Sequence, residues 1–178
     1  PDGEPMKESW NYRSIIGMLI YLSTNTRPDI TFAVSQVARY GNNPKQSHAK
    51  AVKKILRYLR STSDHGITFK PQNRSFFQID LFVDADFAGR NRADPQSERN
   101  SARSRTGYII RLNGCPLIWK SALQTSISTA TGESEYCALS GGLRQAIPVR
   151  NILSMMREVV TLPPEFSGEV GAVRAWED

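Results

Sequence analysis

Across the first 63 residues the apolar positions repeat at helical spacing. Ile15, Ile16, Leu19 and Leu22 mark a helix within Glu8 to Ser23. Arg27-Pro28-Asp29 breaks it and starts another, because proline suits a first helical turn. The second helix is expected to reach Tyr40, where Asn42-Asn43-Pro44 ends it. A third, from Pro44 to Leu59, has the cleanest pattern: Val52, Ile55, Leu56 and Leu59 share one side, and Lys50, Lys53, Lys54 and Arg57 fill the other. A phosphate-contacting helix has such a basic back, and so does an ordinary surface helix. Residues 64–77, with Gly66, Pro71 and Asn73, read as a linker.

Beyond the linker the pattern changes from helical to alternating. In Gln78 to Phe87, Ile79, Leu81, Val83 and Ala85 form one face of a strand, and Asp80, Phe82, Asp84 and Asp86 the other. A polar, arginine-rich loop, Arg90 to Arg103, precedes two apolar runs, Thr106 to Leu112 and Cys115 to Ser121. The Asn113-Gly114 pair between them predicts a tight hairpin. A short polar strand is expected at Ser126 to Ala130. A long helix follows, with Thr131 as its cap and Glu133 and Glu135 in its first turn, where acids suit the helix dipole. Pro148 is expected to kink or split it, and Pro163-Pro164 to stop it. Gly141-Gly142 should cost about 1 kcal/mol each relative to alanine, offset if they allow close packing on the sheet. Val173 and Ala175 alternate with charged or polar neighbours in a last strand, Val170 to Asp178.

Composition adds three constraints. The 178 residues fit one or two ordinary domains, and the two cysteines fit a protein of a reducing compartment. The longest apolar run, Ile15 to Leu22, is far shorter than the roughly 18 residues of a spanning helix, so no membrane segment is expected. No secretory signal is recognisable, and a start at Pro1 suggests a piece of a longer polypeptide. The net charge of +6 is unevenly placed: residues 1–70 carry 11 Lys/Arg against 5 Asp/Glu, and residues 71–178 carry 12 against 12. A basic arm beside an acidic site suits nucleic acid, although solvated surface charge gives the same counts.

Three carboxylates are placed to meet. Asp84 lies on the first strand, Glu135 on the first turn of the long helix and Asp178 at the end of the last strand. If the two strands are neighbours with the helix across them, the three can converge on a divalent metal that takes oxygen ligands. Spacing alone does not single out three acids among seventeen. The histidines, His48 and His65, have no cysteine pattern around them, and packing explains Cys137, Cys115, Trp10, Trp119 and Trp176 more simply than chemistry does. There is no phosphate-binding glycine loop, hydrolase elbow or HExxH string.

Several strings together carry a resemblance. Phe82-Val83-Asp84-Ala85-Asp86-Phe87-Ala88-Gly89 resembles the first strand of the ribonuclease H domain of copia-type retrotransposon polyproteins. Ser104 to Tyr108 and Pro116 to Ser121 are similar to its hairpin, Ser128 to Leu139 to the start of its central helix, and Trp176-Glu177-Asp178 to its next acidic motif. Upstream, Tyr12 to Gly17, Thr26 to Ile30 and Ile55 to Leu59 resemble the end of the reverse transcriptase of the same polyprotein.

The resemblance implies an α/β fold: a ribonuclease H-like mixed sheet, truncated, over 78–178, preceded by a small helical thumb or connection segment over 1–63. Carried over by position, Asp84, Glu135 and Asp178 would be catalytic ligands of Mg²⁺ or Mn²⁺, with Asp86 and Glu133 as near alternatives. The reaction would be hydrolysis of the RNA strand of an RNA/DNA hybrid, with 2′-hydroxyl contacts distinguishing RNA from DNA. Lys50, Lys53, Lys54, Arg57, Arg103, Arg105 and Lys120 would contact nucleic acid. The remainder of the Pol polyprotein is the expected protein partner, no small-molecule cofactor is expected, and the setting would be cytoplasmic, in a virus-like particle, or nuclear.

Several departures qualify that expectation. The family's fourth acidic ligand, and often a histidine, lie downstream of the matching position of Asp178, and the helix and strands that normally follow are missing. The Arg90–Arg103 loop is longer than usual, and the polymerase acids are absent. The rival readings are a non-catalytic module that binds nucleic acid or protein, and a transposase- or integrase-like phosphoryl transferase, which the upstream strings disfavour.

Overall fold

A computed structural model describes residues 3–71, 76–88, 102–160 and 170–177. The Arg90–Arg103 loop, save Ala102 and Arg103, the Pro163-Pro164 stop and Asp178 lie outside the described residues. The chain divides into two compact units, residues 1–67 and 68–178.

The first unit is helical. Helix α1 spans Tyr12–Asn25, a 3₁₀ turn spans Pro28–Ile30, α2 spans Thr31–Ala38 and α3 spans Gln46–Ser61. Helix α1 starts at Tyr12 rather than Glu8 because Asn11 caps it, its side chain accepting from the Ser14 N–H at 3.1 Å. Pro28 initiates only the 3₁₀ turn, and α2 ends two residues short of Tyr40. Ile16, Leu19, Val34, Val37, Val52 and Ile55 form the buried cluster that ties the three helices together. Tyr12 joins it and donates its hydroxyl to the Val37 carbonyl at 2.9 Å; burial raises its pKa to about 12. On α3 the buried stripe is Ala49, Val52 and Ile55, whereas Leu56, expected in the core, is 40% exposed at the stripe's edge.

Arg27 is the polar anchor of this unit. Its guanidinium is buried, pairs with Asp29 at 2.8 Å, and donates to the Thr62 carbonyl and hydroxyl at 2.9 and 2.7 Å. It joins the turn before α2 to the end of α3. The Arg27 side chain also holds the Asp29 carboxyl below its ordinary pKa.

The second unit is a four-stranded sheet in the order β3-β2-β1-β4, with strands β1 (Phe77–Asp86), β2 (Arg105–Leu112), β3 (Cys115–Leu123) and β4 (Val170–Trp176). The sheet is mixed, since β1 and β2 pair antiparallel, as do β2 and β3, while β4 lies parallel to β1. Asn113 (φ 47°) and Gly114 (φ 85°) both take the left-handed conformation that a two-residue hairpin needs. The expected strand at Ser126–Ala130 is absent. The preceding Gln124 draws that segment into side-chain hydrogen bonds instead, accepting from the Ser128 hydroxyl at 3.0 Å.

Helix α4 runs unbroken from Thr131 to Val159. Pro148 does not split it, because the residues around the missing N–H pack on the sheet: Ala146 is buried, and Val149 and Leu153 adjoin the same cluster. The helix lays Ser134, Ala138, Gly142 and Ala146, its buried residues, on the face built from Ile79, Leu81, Val83 and Ile110. The four sheet residues are at most 5% exposed, and each such side chain contributes about 1.5–3 kcal/mol by leaving water. Ala130 stands at the helix cap without a side-chain bond. Glu133 instead accepts from the backbone N–H and hydroxyl of Thr129 at 2.6 and 2.9 Å, which holds its carboxyl below the ordinary range.

The two adjacent glycines differ sharply. A Cβ on Gly142 would fall 2.8 Å from Leu81 Cδ1 and 3.1 Å from Val83 Cγ2, whereas one on Gly141 would meet nothing within 4 Å. Gly141→Ala is therefore expected to stabilise the protein by about 0.5–1 kcal/mol through helix propensity. Gly142→Ala should destabilise it by about 1–3 kcal/mol through overpacking, and urea unfolding of both variants checks the opposite signs.

For Arg27, replacement by Met should cost about 2 kcal/mol, at the low end for a broken pair because Asp29 is a third exposed. The pair also sets a pH dependence. Because Arg27 holds the folded-state pKa of Asp29 below its ordinary unfolded value, its stabilisation is complete above that ordinary value and is lost as pH falls through the lower folded value. Acid titration of unfolding should show this loss in the parent chain and not in Asp29→Asn.

Candidate active site

The strand directions place the acidic residues at one end of the unit. Strands β1, β3 and β4 run the same way, so the end of β1 that carries Asp84 and Asp86 is also the end at which β3 stops and α4 begins. Glu133 and Glu135 thus fall in the first turns of a helix that starts beside the carboxyl ends of the parallel strands. In open α/β sheets, functional groups collect outside such ends.

Asp84 is exposed and projects from the sheet face opposite α4, since its neighbours Val83 and Leu81 face the helix. Its cross-strand partner is Gly107, so no side chain from β2 stands beside the carboxylate on that face. Asp86 is exposed on the same face. Glu135 is half-buried at the next position after Ser134, on the flank of α4 away from Cys137 and Gly141. The parallel register pairs Phe82 with Trp176; Asp84 and Asp178 each come two residues later in sequence, but Asp178 lies outside the described residues. Among the described residues, no group of three or more His, Cys, Asp and Glu side chains is gathered so as to hold a metal ion.

The start of α4 is pinned by one side chain that sequence reading passed over. Gln124 is buried; its amide nitrogen donates to the Ser134 carbonyl at 2.8 Å and to the Thr106 hydroxyl at 3.1 Å, while its backbone N–H donates to the Ser104 carbonyl at 2.9 Å. It joins β2, the end of β3 and the turn that carries Glu135. The only sequence signal was a glutamine closing an apolar strand, which no periodicity marks as buried.

The basic candidates fare differently. Lys50, Lys53, Lys54 and Arg57 are all exposed on the outer side of α3, and Lys53 pairs with Glu8 at 2.8 Å. Arg105 is buried, with its guanidinium 3.4 Å from the Ser121 hydroxyl, which leaves little surface for a phosphate. Arg103 is half-buried and Lys120 is exposed.

Among the bland readings, Cys115 is a buried hairpin residue as expected, but Cys137 is exposed rather than in the core, because it falls on the flank of α4 that the sheet leaves uncovered. His48 accepts from the Lys45 N–H at 3.0 Å and stacks on Tyr40. Trp10 stacks on Tyr12, and Trp176 stacks on Phe82 while remaining 51% exposed. Among the described residues no helix is long and apolar enough to cross a membrane.

These features define the class: an α/β unit with a four-stranded mixed sheet, compatible with a ribonuclease H-like fold, preceded in sequence by a helical unit with a basic face. Comparison with known proteins adds to this. The chain is 32% identical over 171 residues, 96% of its length, to the retrovirus-related Pol polyprotein from transposon RE1 of Arabidopsis thaliana. It is 34% identical over 142 residues, 80% of its length, to the corresponding polyprotein from transposon TNT 1-94 of Nicotiana tabacum. It is 34% identical over 136 residues, 76% of its length, to the secreted RxLR effector protein 161 of Plasmopara viticola, and that match covers 89% of the effector. Over most of its length the chain is similar to retrovirus-related transposon Pol polyproteins, which supports a retrotransposon-derived Pol fragment. It spans about a tenth of the length of the two polyproteins, 11% and 10%. No protein-family model matches the chain, and no solved structure matches it.

Replacing Gln124 with Leu should cost about 1–3 kcal/mol, because it strips the hydrogen bond from the buried Ser128 hydroxyl and loosens the start of α4. Urea unfolding measures the loss. Faster amide exchange confined to Thr131–Glu135 and its sheet neighbours would locate it there; unchanged stability would remove Gln124 from this role.

Proposed function

We propose that the chain is the end of a retrotransposon reverse transcriptase joined to the first part of its ribonuclease H domain, and that the second unit hydrolyses the RNA strand of an RNA/DNA hybrid. The observation that carries this reading is the placement of Asp84 and the first turn of α4 at one end of a sheet whose neighbouring strands β1 and β4 run parallel. The polyprotein relatives support the retrotransposon origin.

The carboxylates of Asp84 and Glu135 are the oxygen donors that Mg²⁺ or Mn²⁺ prefers, and Asp178 would be the third. The described donors do not complete a site by themselves. When bound, such metal activates water and stabilises the leaving oxygen of a phosphodiester. The basic outer side of α3, through Lys50, Lys54 and Arg57, would hold the hybrid by its phosphates.

The second reading is a module that binds nucleic acid or protein without cleaving it. One observation favours it: a relative of which the chain covers 89% is named as a secreted effector.

A labelled RNA/DNA hybrid incubated with Mg²⁺ separates the two, using both this chain and the polypeptide continued along its reading frame. The enzyme reading expects cleavage of the RNA strand, falling by at least about a hundredfold in Asp84→Asn and Glu135→Gln, with unfolding midpoints retained. A folded, continued polypeptide that binds the hybrid and leaves it intact would establish the binder.

A further inference from the structure

Alongside α4, on the flank away from Glu135, runs an open groove of about 820 Å³ between the helix and the hairpin β2–β3. Tyr108 and Lys120, partners in the β2–β3 register, stand on its floor, and Cys137, Ser140, Gly141 and Arg144 line its helical wall. Around Gly141 the wall is open: a Cβ there would meet nothing within 4 Å. A volume of this order falls in the usual range of ligand sites, roughly 300–1,000 Å³.

The groove's charges are unbalanced. Lys120 and Arg144 are both exposed into it, and neither has an ion pair or hydrogen bond among the described residues. Glu133 is the one acid of the lining, and its carboxylate is engaged by the N–H and hydroxyl of Thr129. Two cations against one acid leave the lining net positive, and with the Tyr136 ring 76% exposed at the rim this suits a chain of phosphates better than a neutral ligand. A base can stack on such a ring.

We propose that this groove is a phosphate track, in which Lys120 and Arg144 neutralise the backbone of a nucleic-acid strand running along α4. The choice of a nucleic-acid strand rests on the proposed function; the groove's affinity does not depend on cleavage. Arg144 is a contact that neither charge counts nor motif resemblance suggested, and Lys120 rather than buried Arg105 is its partner.

The test measures binding of a labelled RNA/DNA hybrid and a labelled single strand by fluorescence anisotropy in EDTA over a series of salt concentrations. Lys120→Gln/Arg144→Gln is expected to weaken binding and reduce the slope of log affinity against log salt by about 1–2, with the Tm kept near that of the parent. Lys120→Arg/Arg144→Lys should keep the parent slope. The slope is the readout because the cations of α3 add their own share of affinity. Binding in EDTA is read without cleavage, so a failed cleavage reaction and a failed track are distinguishable.

An unchanged slope in the folded double Gln variant overturns the proposal. So does a result in which the variant loses binding of a free nucleoside triphosphate while strand binding is unchanged, which would assign the groove to free nucleotides.

Discussion

The second unit depends on how closely α4 can approach β1. Ser134, Ala138, Gly142 and Ala146 present almost no side-chain bulk to the sheet, so the helix settles onto Leu81 and Val83. Larger residues there would lift the helix and carry the first turn, with Glu135, away from the strand ends. Gln124 completes the constraint by joining the Ser134 carbonyl to Thr106 on β2. The apolar contact sets the helix's height and the polar contact fixes where it starts, and together they place the acidic end of the unit. The adjacent flank, which carries Cys137, Ser140 and Gly141, lies open over β2 and β3.

The two faces of the sheet are treated differently. One is covered by α4; the other carries Asp80, Phe82, Ile109, Arg111 and Trp176. Phe82 stacks on Trp176, the Arg111 guanidinium lies 5.6 Å from the Phe82 ring centroid, and Arg174 pairs with Asp80 at 3.2 Å. These side chains satisfy one another across β2, β1 and β4, although Phe82 and Trp176 remain 36% and 51% exposed. This face holds the carboxylates of Asp84 and Asp86 at one end, and its described cations Arg111 and Arg174 are engaged by the Phe82 ring and Asp80.

Much of this fold was legible because its elements obey single periodicities. The alternation from Gln78 to Phe87 matches β1, with Ile79, Leu81 and Val83 inside, and Asn113-Gly114 marked the hairpin because few other residue pairs accept two left-handed positions. The misreadings arose where tertiary contacts outweighed a local rule. Ser126–Ala130 has the composition of a polar strand, but side-chain hydrogen bonds around Gln124 hold the chain instead. Pro148 removes a helical donor, yet packing of its neighbours carries α4 past it. Leu56 and Cys137 fell on the wrong side because an apolar stripe has edges, and residue type alone cannot say where an edge meets a neighbour. Gln124 and Arg144 left no trace in the pattern, since what matters about each is the distant element it faces.

The acidic end follows from topology more than from any one residue. Because α4 follows β3 and β3 runs parallel to β1, the helix must begin where β1 ends; because β4 returns parallel beside β1, its own end arrives at the same place. Acids near any of those ends fall at the same end of the unit whatever their spacing in sequence. Glu133 takes up the Thr129 N–H and hydroxyl at the start of α4. Of the acids at the start of the helix, Glu135 is therefore the one whose carboxylate is not already committed at the cap, and this physical ground for preferring it to Glu133 is independent of any motif.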